Sequence, residues 1–274
     1  MPLEDIDTAF SSARAMGRAA LMPYFTLGYP DAETSLRVIE AIAGAGADLI
    51  ELGIPFSDPL ADGPTIQHSA QVALEGGMTV ARCLKLTAEL RARGVEPPLL
   101  MMGYYNPILA FGVGPFVEQS AAAGADGFIV PDLPPEEAGE LEAACRARGL
   151  ALVYLLAPTS TPERIALIAG RSSGFTYLVS LTGVTGARDS LPPGLTDFVG
   201  RVREVARTPL AVGFGVSTPE QARAVGQMAD GVIVGSALIR AAGQSRRPAE
   251  AAGEFVRGLM RGLSRAKIDP ENRM

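Results

Sequence analysis

The stretch Ala45-Gly-Ala-Asp-Leu-Ile-Glu-Leu-Gly53 is echoed twice further along the chain, as Ala123-Gly-Ala-Asp-Gly-Phe-Ile-Val-Pro131 and as Met228-Ala-Asp-Gly-Val-Ile-Val-Gly235. In each case a helical pattern ends at a glycine or another small residue, turns, and enters a short apolar run through aspartate. Glycine reaches the left-handed conformation that commonly ends a helix, so the repetition has a conformational cause. Working outward, apolar runs occupy Ala20–Thr26, Asp48–Leu52, Leu99–Gly103, Gly127–Val130, Ala151–Leu156, Phe175–Ser180, Leu210–Gly213 and Gly231–Val234. Amphipathic stretches lie between them, among others at Asp31–Ala45, Val80–Arg93, Pro135–Arg148 and Pro219–Met228. Strands that alternate with helices pair in parallel, because a parallel return needs a long crossover. Runs that are apolar at nearly every position suit strands covered on both faces.

Eight such units in 274 residues fit a closed barrel better than an open doubly wound sheet, which has fewer strands for this length. The expected fold is α/β: a single (βα)8 TIM barrel over residues 1–274, with an extra N-terminal helix and a short helix, Ala237–Ala242, after strand eight. No Pro/Ser-rich linker divides the chain, and a hydrophobic share of 47% is enough for one sizeable core.

Composition removes several function classes. The net charge of -6 argues against a nucleic-acid partner, which calls for a basic patch. The basic residues from Arg257 to Lys267 alternate with apolar ones on a terminal helical pattern. Cys83 and Cys145 are expected as buried, reduced thiols rather than a disulfide framework. His68 is the only histidine, which excludes His-rich metal motifs. The N-terminal segment lacks the apolar core of a signal peptide, and no run reaches the ~20 apolar residues of a membrane span. A soluble, cytoplasmic protein is expected.

In a barrel, chemistry gathers where strands end and βα loops begin. Alternation along the second strand puts Leu49, Glu51 and Gly53 on one face and Ile50 and Leu52 on the other. Glu51 would then point into the barrel mouth, where desolvation raises its pKa toward acid–base duty. The structural alternative, a buried carboxylate paired with a base, is disfavoured because no lysine or arginine occurs between Arg37 and Arg82. Asp58 and Asp62 follow in a loop with Pro55, Pro59 and Pro64; each alone would read as a turn former, but nearness to Glu51 makes a second functional carboxylate the better reading. A Mg²⁺ site built from these acids is disfavoured, and no metal is expected.

Three consecutive strand ends carry the signal of an anion site. Strand six leads to Thr182-Gly-Val-Thr-Gly186, strand seven to Gly213-Phe-Gly215, and strand eight to Gly235-Ser236 ahead of the short helix. Glycines let backbone N–H groups approach phosphate oxygens, and a helix N-terminus attracts an anion. Tyr24, Tyr104, Tyr177 and Phe214 at strand ends serve equally well as an aromatic substrate wall or as core filling.

The run Leu49–Pro64 closely resembles the signature of the tryptophan synthase α chain family, as do Gly103-Tyr-Tyr-Asn-Pro107, Pro131-Asp-Leu-Pro134, Thr182–Gly186, Gly213–Gly215 and Gly235-Ser236. These motifs span nearly the whole chain in the family's order. The resemblance implies a carbon–carbon lyase that splits indole-3-glycerol phosphate into indole and glyceraldehyde 3-phosphate. It casts Glu51 as the general acid at indole C3 and Asp62 as the carboxylate facing the indole N–H. It places Tyr177 beside Glu51, and Tyr24, Ile66, Met102, Ile129, Leu155 and Phe214 around the indole. It assigns Gly186, Gly215, Gly235 and Ser236 to the phosphate and Thr185 to a loop that meets Asp62. It also implies a β-chain partner that holds pyridoxal phosphate and receives the indole in an α2β2 (αββα) complex, with Asp58, Asn106, Asp132 and Pro134 facing it and no cofactor in this chain. Leu181 and His68 depart from the family pattern, which has arginine and asparagine there.

Three rivals stand beside this reading. A synthase or isomerase acting on an anthranilate-derived ribose phosphate would share the barrel, but such a synthase needs a lysine at a strand end, and Lys85 and Lys267 fall in helical stretches. A purely regulatory subunit has no use for both Glu51 and Asp62. A stand-alone lyase that releases free indole differs only in its partner.

Overall fold

Strands hidden on both faces must be buried at almost every position, and these are. The computed structural model describes residues 2–179, 193–213 and 215–264. Its strands are β1 (Ala20–Thr26), β2 (Ile50–Gly53), β3 (Leu99–Met102), β4 (Gly127–Ile129), β5 (Ala151–Val153), β6 (Leu155–Leu156), β7 (Thr176–Val179), β8 (Leu210–Gly213) and β9 (Gly231–Val234). All pairings are parallel, in the order β5-β4-β3-β2-β1-β9-β8-β7-β6. The two ends of that sheet, β5 and β6, are separated in the chain by Tyr154 alone, so the sheet curls into a nearly closed barrel.

The eight expected strands thus appear as nine, because Ala151–Leu156 is interrupted. The cause is local. Leu152 N–H donates to Ser173 Oγ (2.8 Å) and Tyr154 N–H to Ser172 Oγ (3.2 Å), so serine hydroxyls stand where strand carbonyls would continue the ladder. β1, β8 and β9 have the bounds read from sequence; the others differ by a residue or two at their ends.

The helices among the described residues are α1 (Pro2–Ala15), α2 (Ala32–Gly44), α3 (Pro64–Glu75), α4 (Val80–Ala92), α5 (Tyr105–Phe111), α6 (Val113–Ala122), α7 (Gly139–Arg148), α8 (Pro162–Arg171), α9 (Leu195–Arg203), α10 (Pro219–Gly226), α11 (Ser236–Gly243) and α12 (Pro248–Ser264). Asp31 caps α2 through the Thr34 N–H at 2.8 Å. The amphipathic stretch Pro135–Arg148 divides into a 3₁₀ turn, Pro135–Glu137, and α7, a common way for a helix to open. Gly46 and Gly124 do take left-handed conformations, with φ of 96° and 85°, as the repeated motif requires.

Side chains of alternate strand residues fall into two cores. The outer core lies between sheet and helices and holds Ile50, Leu52, Met101 and Phe128. The inner core holds Met22, Leu49, Leu100, Ile129, Val153 and Phe175, together with Ile6, Phe10 and Ala13 of α1. Helix α1 therefore stoppers the N-terminal end of the barrel, with the Phe10 and Phe175 rings 5.8 Å apart.

The aspartates of the repeated motif clamp that same end. Asp48 accepts from Leu21 N–H (2.8 Å) and from both ends of the Arg18 guanidinium (2.6 and 2.8 Å). Asp126 accepts from Leu99 N–H (2.7 Å) and Arg91 (2.6 Å), and Asp230 from Leu210 N–H (2.9 Å) and Arg203 (3.0 Å). In each case a carboxylate entering one strand ties down the first N–H groups of its neighbour. Among the described residues, the opposite end of the barrel has no such stopper.

Candidate active site

Glu51 lies on β2, in register with Tyr24 of β1 and Leu100 of β3. Leu49 belongs to the inner core and Ile50 and Leu52 to the outer one, so the twofold period of the strand turns Glu51 inward. Its side chain is wholly buried, and neither carboxylate oxygen has a hydrogen-bond partner among the described residues. Burial alone pushes its pKa up to about 8, since charging it there would forfeit hydration without recompense. At neutral pH it is a protonated acid.

Asp62 stands in the loop between β2 and α3, half-buried. Burial raises its pKa to about 6, against the opposing effect of a hydrogen bond from Tyr104 Oη to Oδ2 (3.0 Å). The same hydroxyl accepts from Ala61 N–H at 2.9 Å, and the Tyr104 ring packs on Phe56 with centroids 5.4 Å apart. Tyr104 thus grips the loop by its backbone and by its acid. At neutral pH Asp62 is mostly an anion, so one carboxyl of each charge state faces the same space.

That space is a cavity of about 680 Å³ at the C-terminal ends of the strands, and Glu51, Asp62, Tyr24, Ile66, Met102, Leu155 and Tyr177 line it. Tyr24 and Tyr177 are buried, and burial together with the nearby Asp62 and Glu51 carboxyls holds both phenols far above their ordinary range. Two strand-end glycines make room for these rings. A Cβ on Gly213 would lie 2.5 Å from Tyr177 Oη, and one on Gly53 would overlap Tyr24 Oη.

Gly213, Gly215, Gly235 and Ser236 bring the ends of β8 and β9 to the same cavity. Gly235 precedes α11 with no side-chain cap, so the first-turn N–H groups of that helix lack intrahelical acceptors. Together with the helix dipole, they make a place for an anion. A Cβ on Gly235 would lie in ordinary contact with the Tyr24 ring at 3.4 Å.

Most sequence-derived candidates converge here, but not all. Ile129 does not line the cavity; it is fully buried in the inner core with Leu100 and Val153. Thr185, Gly186 and Phe214 lie outside the described residues, as does Leu181. Asp58, Asn106 and Asp132 are exposed and Pro134 partly so. Asp132 accepts the Tyr105 N–H at 2.9 Å, which sets it next to Asn106 at the start of α5. Leu60, between Asp58 and Asp62, is 94% exposed at the rim. His68 is exposed on α3, edge-on to Tyr29. Sequence reading missed the grip of Tyr104 on Asp62, since a contact across 42 residues leaves no local signal. It also missed Arg164 and Arg240, which line the cavity from helices. Spacing did hold one clue to the latter, four residues after Ser236. Among the described residues, no three acids, histidines or cysteines gather closely enough to hold a metal ion.

Comparison with known proteins agrees with this geometry. The family model described as tryptophan synthase alpha chain matches residues 10–264. The tryptophan synthase alpha chain of Roseiflexus castenholzii is 53% identical over 260 residues, covering 94% of this chain and 99% of that one. That of Chloroflexus aggregans is 53% identical over 234 residues, 85% of this chain and 88% of its own. A chain in the structure of Mycobacterium tuberculosis tryptophan synthase superposes with a TM-score of 0.89 at 40% identity, covering 94% of this chain and 98% of that chain.

Proposed function

This chain belongs to the tryptophan synthase alpha chain family, and we propose that Glu51 and Asp62 perform the family's reaction in it. That reaction is the retro-aldol cleavage of indole-3-glycerol phosphate to indole and glyceraldehyde 3-phosphate. The observation that carries the assignment is Glu51, a wholly buried and unpartnered carboxyl lifted to about 8 at the mouth of the barrel.

The chemistry follows from the charge states. Protonated Glu51 delivers its proton to indole C3, which breaks the aromaticity of the five-membered ring and leaves the cation shared with the ring nitrogen. Anionic Asp62 accepts the indole N–H and stabilises that positive charge, which exists mainly in the transition state and intermediate. Glu51, now a carboxylate in an apolar wall, takes the hydroxyl proton from the carbon bonded to C3. The bond to C3 then breaks, its electron pair restores the indole, and the carbonyl of glyceraldehyde 3-phosphate forms. Glu51 ends protonated again. Tyr24, Ile66, Met102, Leu155 and Tyr177 enclose the indole and exclude water, which strengthens both charge interactions. Gly215, Gly235 and Ser236 offer donors to the phosphate. Gly186, Thr185 and Phe214 keep the roles that the family resemblance implies.

The family works with a β chain, which carries pyridoxal phosphate; the α chain uses no cofactor of its own. For this protein we read the α2β2 arrangement, with Asp58, Asn106, Asp132 and Pro134 toward the β chain and all 274 residues acting as one unit. The exposed rim from Asp58 to Leu60 supports that orientation. No helix among the described residues is long and apolar enough to cross a membrane, in keeping with a cytoplasmic enzyme.

The test is an assay of indole release from indole-3-glycerol phosphate by the full chain, alone and with a titrated β chain. Indole and glyceraldehyde 3-phosphate should appear in equal amounts, faster with the β chain. An inactive, correctly folded chain in both conditions would remove the assignment, and equal rates would leave a stand-alone lyase.

A further inference from the structure

The substrate ends in a phosphate dianion, and the reading that seats it on Gly215, Gly235 and Ser236 is the premise here. Those groups supply neutral N–H and O–H donors. Two cationic side chains line the cavity among the described residues, Arg164 and Arg240. Arg164 is committed to an ion pair with Glu136. Arg240 forms no ion pair among the described residues; its hydrogen bond goes to the neutral Thr65 Oγ1 at 3.2 Å.

Arg240 sits on α11 four residues after Ser236, hence on the same helix face. Helical side chains lean back toward the N-terminus, which brings Arg240 to the cavity that Gly235 and Ser236 also line. It is half-buried, which leaves its charge less screened than at an open surface. A guanidinium carries five N–H donors in a planar fork that matches phosphate oxygens, and among the described residues Arg240 makes only one hydrogen bond, to Thr65. Thr65 is in the first turn of α3, three residues beyond Asp62.

We propose that Arg240 is the charged arm of the phosphate subsite, binding the substrate phosphate without releasing Thr65. The helix N-terminus orients the dianion, and Arg240 supplies the full positive charge that the neutral cradle lacks.

The experiment is calorimetric titration of the full chain, alone and with the β chain, using sn-glycerol 3-phosphate, inorganic phosphate and indole as separate probes. Arg240→Gln should weaken glycerol 3-phosphate about tenfold or more and leave indole unchanged, while Arg240→Lys should recover much of the loss. Added salt should weaken phosphate binding more steeply in wild type than in Arg240→Gln. In steady state the Gln variant should raise KM for indole-3-glycerol phosphate with little change in kcat, because the contact is made equally before and during the reaction. Equal glycerol 3-phosphate affinity in Arg240→Gln and wild type would overturn the inference and leave the glycine cradle standing. Parallel loss of indole and phosphate binding would make Arg240 a structural residue and overturn it too. A wild-type chain that binds no glycerol 3-phosphate would overturn the cradle itself, and this inference with it.

Discussion

Asp48 and Glu51 stand three residues apart at the entrance and in the middle of one barrel strand, and their surroundings are opposite. Asp48 is held by both nitrogens of Arg18 and by the Leu21 N–H, in a pair whose side chains are 6% and 9% exposed. Glu51, fully buried, is held by nothing among the described residues. The same contrast separates the two ends of the barrel. At the N-terminal end three aspartates meet arginines and backbone donors; at the C-terminal end the acids face a cavity. Burial is not the distinguishing variable, because Asp126 is buried as well, and desolvation lifts its carboxyl even against the Leu99 N–H and Arg91. What differs is whether the protein completes the hydrogen bonds or leaves them for a substrate. The closed end serves stability, and the open end holds chemistry in reserve.

Glu51→Gln should sharpen that contrast most. Loss of acid–base help is worth about 10²–10⁴ in rate, so indole release should fall by at least that much. Stability should move the other way. The folded pKa of about 8 lies above the ordinary 4.5, so the folded chain holds the extra proton between those values. The stabilisation by the neutral acid is complete below about 4.5 and is lost as pH rises through 8. At roughly 1.4 kcal/mol per tenfold change in proton affinity, the loss is on the order of 5 kcal/mol. Thermal unfolding at pH 5 and pH 9 should therefore find wild type losing stability against Glu51→Gln as pH rises. A constant difference across that range would mean that Glu51 is not held neutral by burial.

Asp48→Ala should break the contrast from the other side. Removing one partner of a buried ion pair leaves the other uncompensated, at a cost of about 3–5 kcal/mol. Denaturant unfolding should register that loss. The kcat of the fraction still folded should stay near wild type, since the site is at the other end of the barrel. A large fall in kcat with unchanged stability would erase the division between the two ends.

The smallest effect is expected at Tyr104→Phe. The lost hydroxyl favours ionised Asp62, so the Asp62 pKa should rise above about 6. For wild type, kcat/KM against pH should be bell-shaped, falling below about 6 as Asp62 takes a proton and above about 8 as Glu51 gives one up. The variant should move only the acid limb upward, with a few-fold lower rate at pH 7. An acid limb that stays in place would dissociate Asp62 from it.

How much of this was readable beforehand depends on the range of the contacts. β1, β8 and β9 were legible to the residue, because their apolar runs are continuous and end at glycine or a turn. The break at Tyr154 was not, since it is made by Ser172 and Ser173 from the next unit. Glu51 was legible because strand alternation and the empty stretch of basic residues are both local patterns. Ile129 was placed around the indole on resemblance alone; the alternation that turns it inward sets it in the inner core, and it is not among the residues lining the cavity.

The sequence by itself determined the barrel, the inward acid on its second strand and the glycine-rich strand ends, because each is written in periodicities of two or 3.6 or in the backbone freedom of glycine. The tertiary structure decided the charge states. Whether an acid finds an arginine, a tyrosine or no partner depends on groups tens of residues away, as with Arg18 for Asp48, Tyr104 for Asp62 and none for Glu51 among the described residues. Desolvation is likewise a property of the assembled core: it leaves Glu51 protonated at neutral pH and lifts Asp62 only to about 6, so that Asp62 stays mostly ionised there.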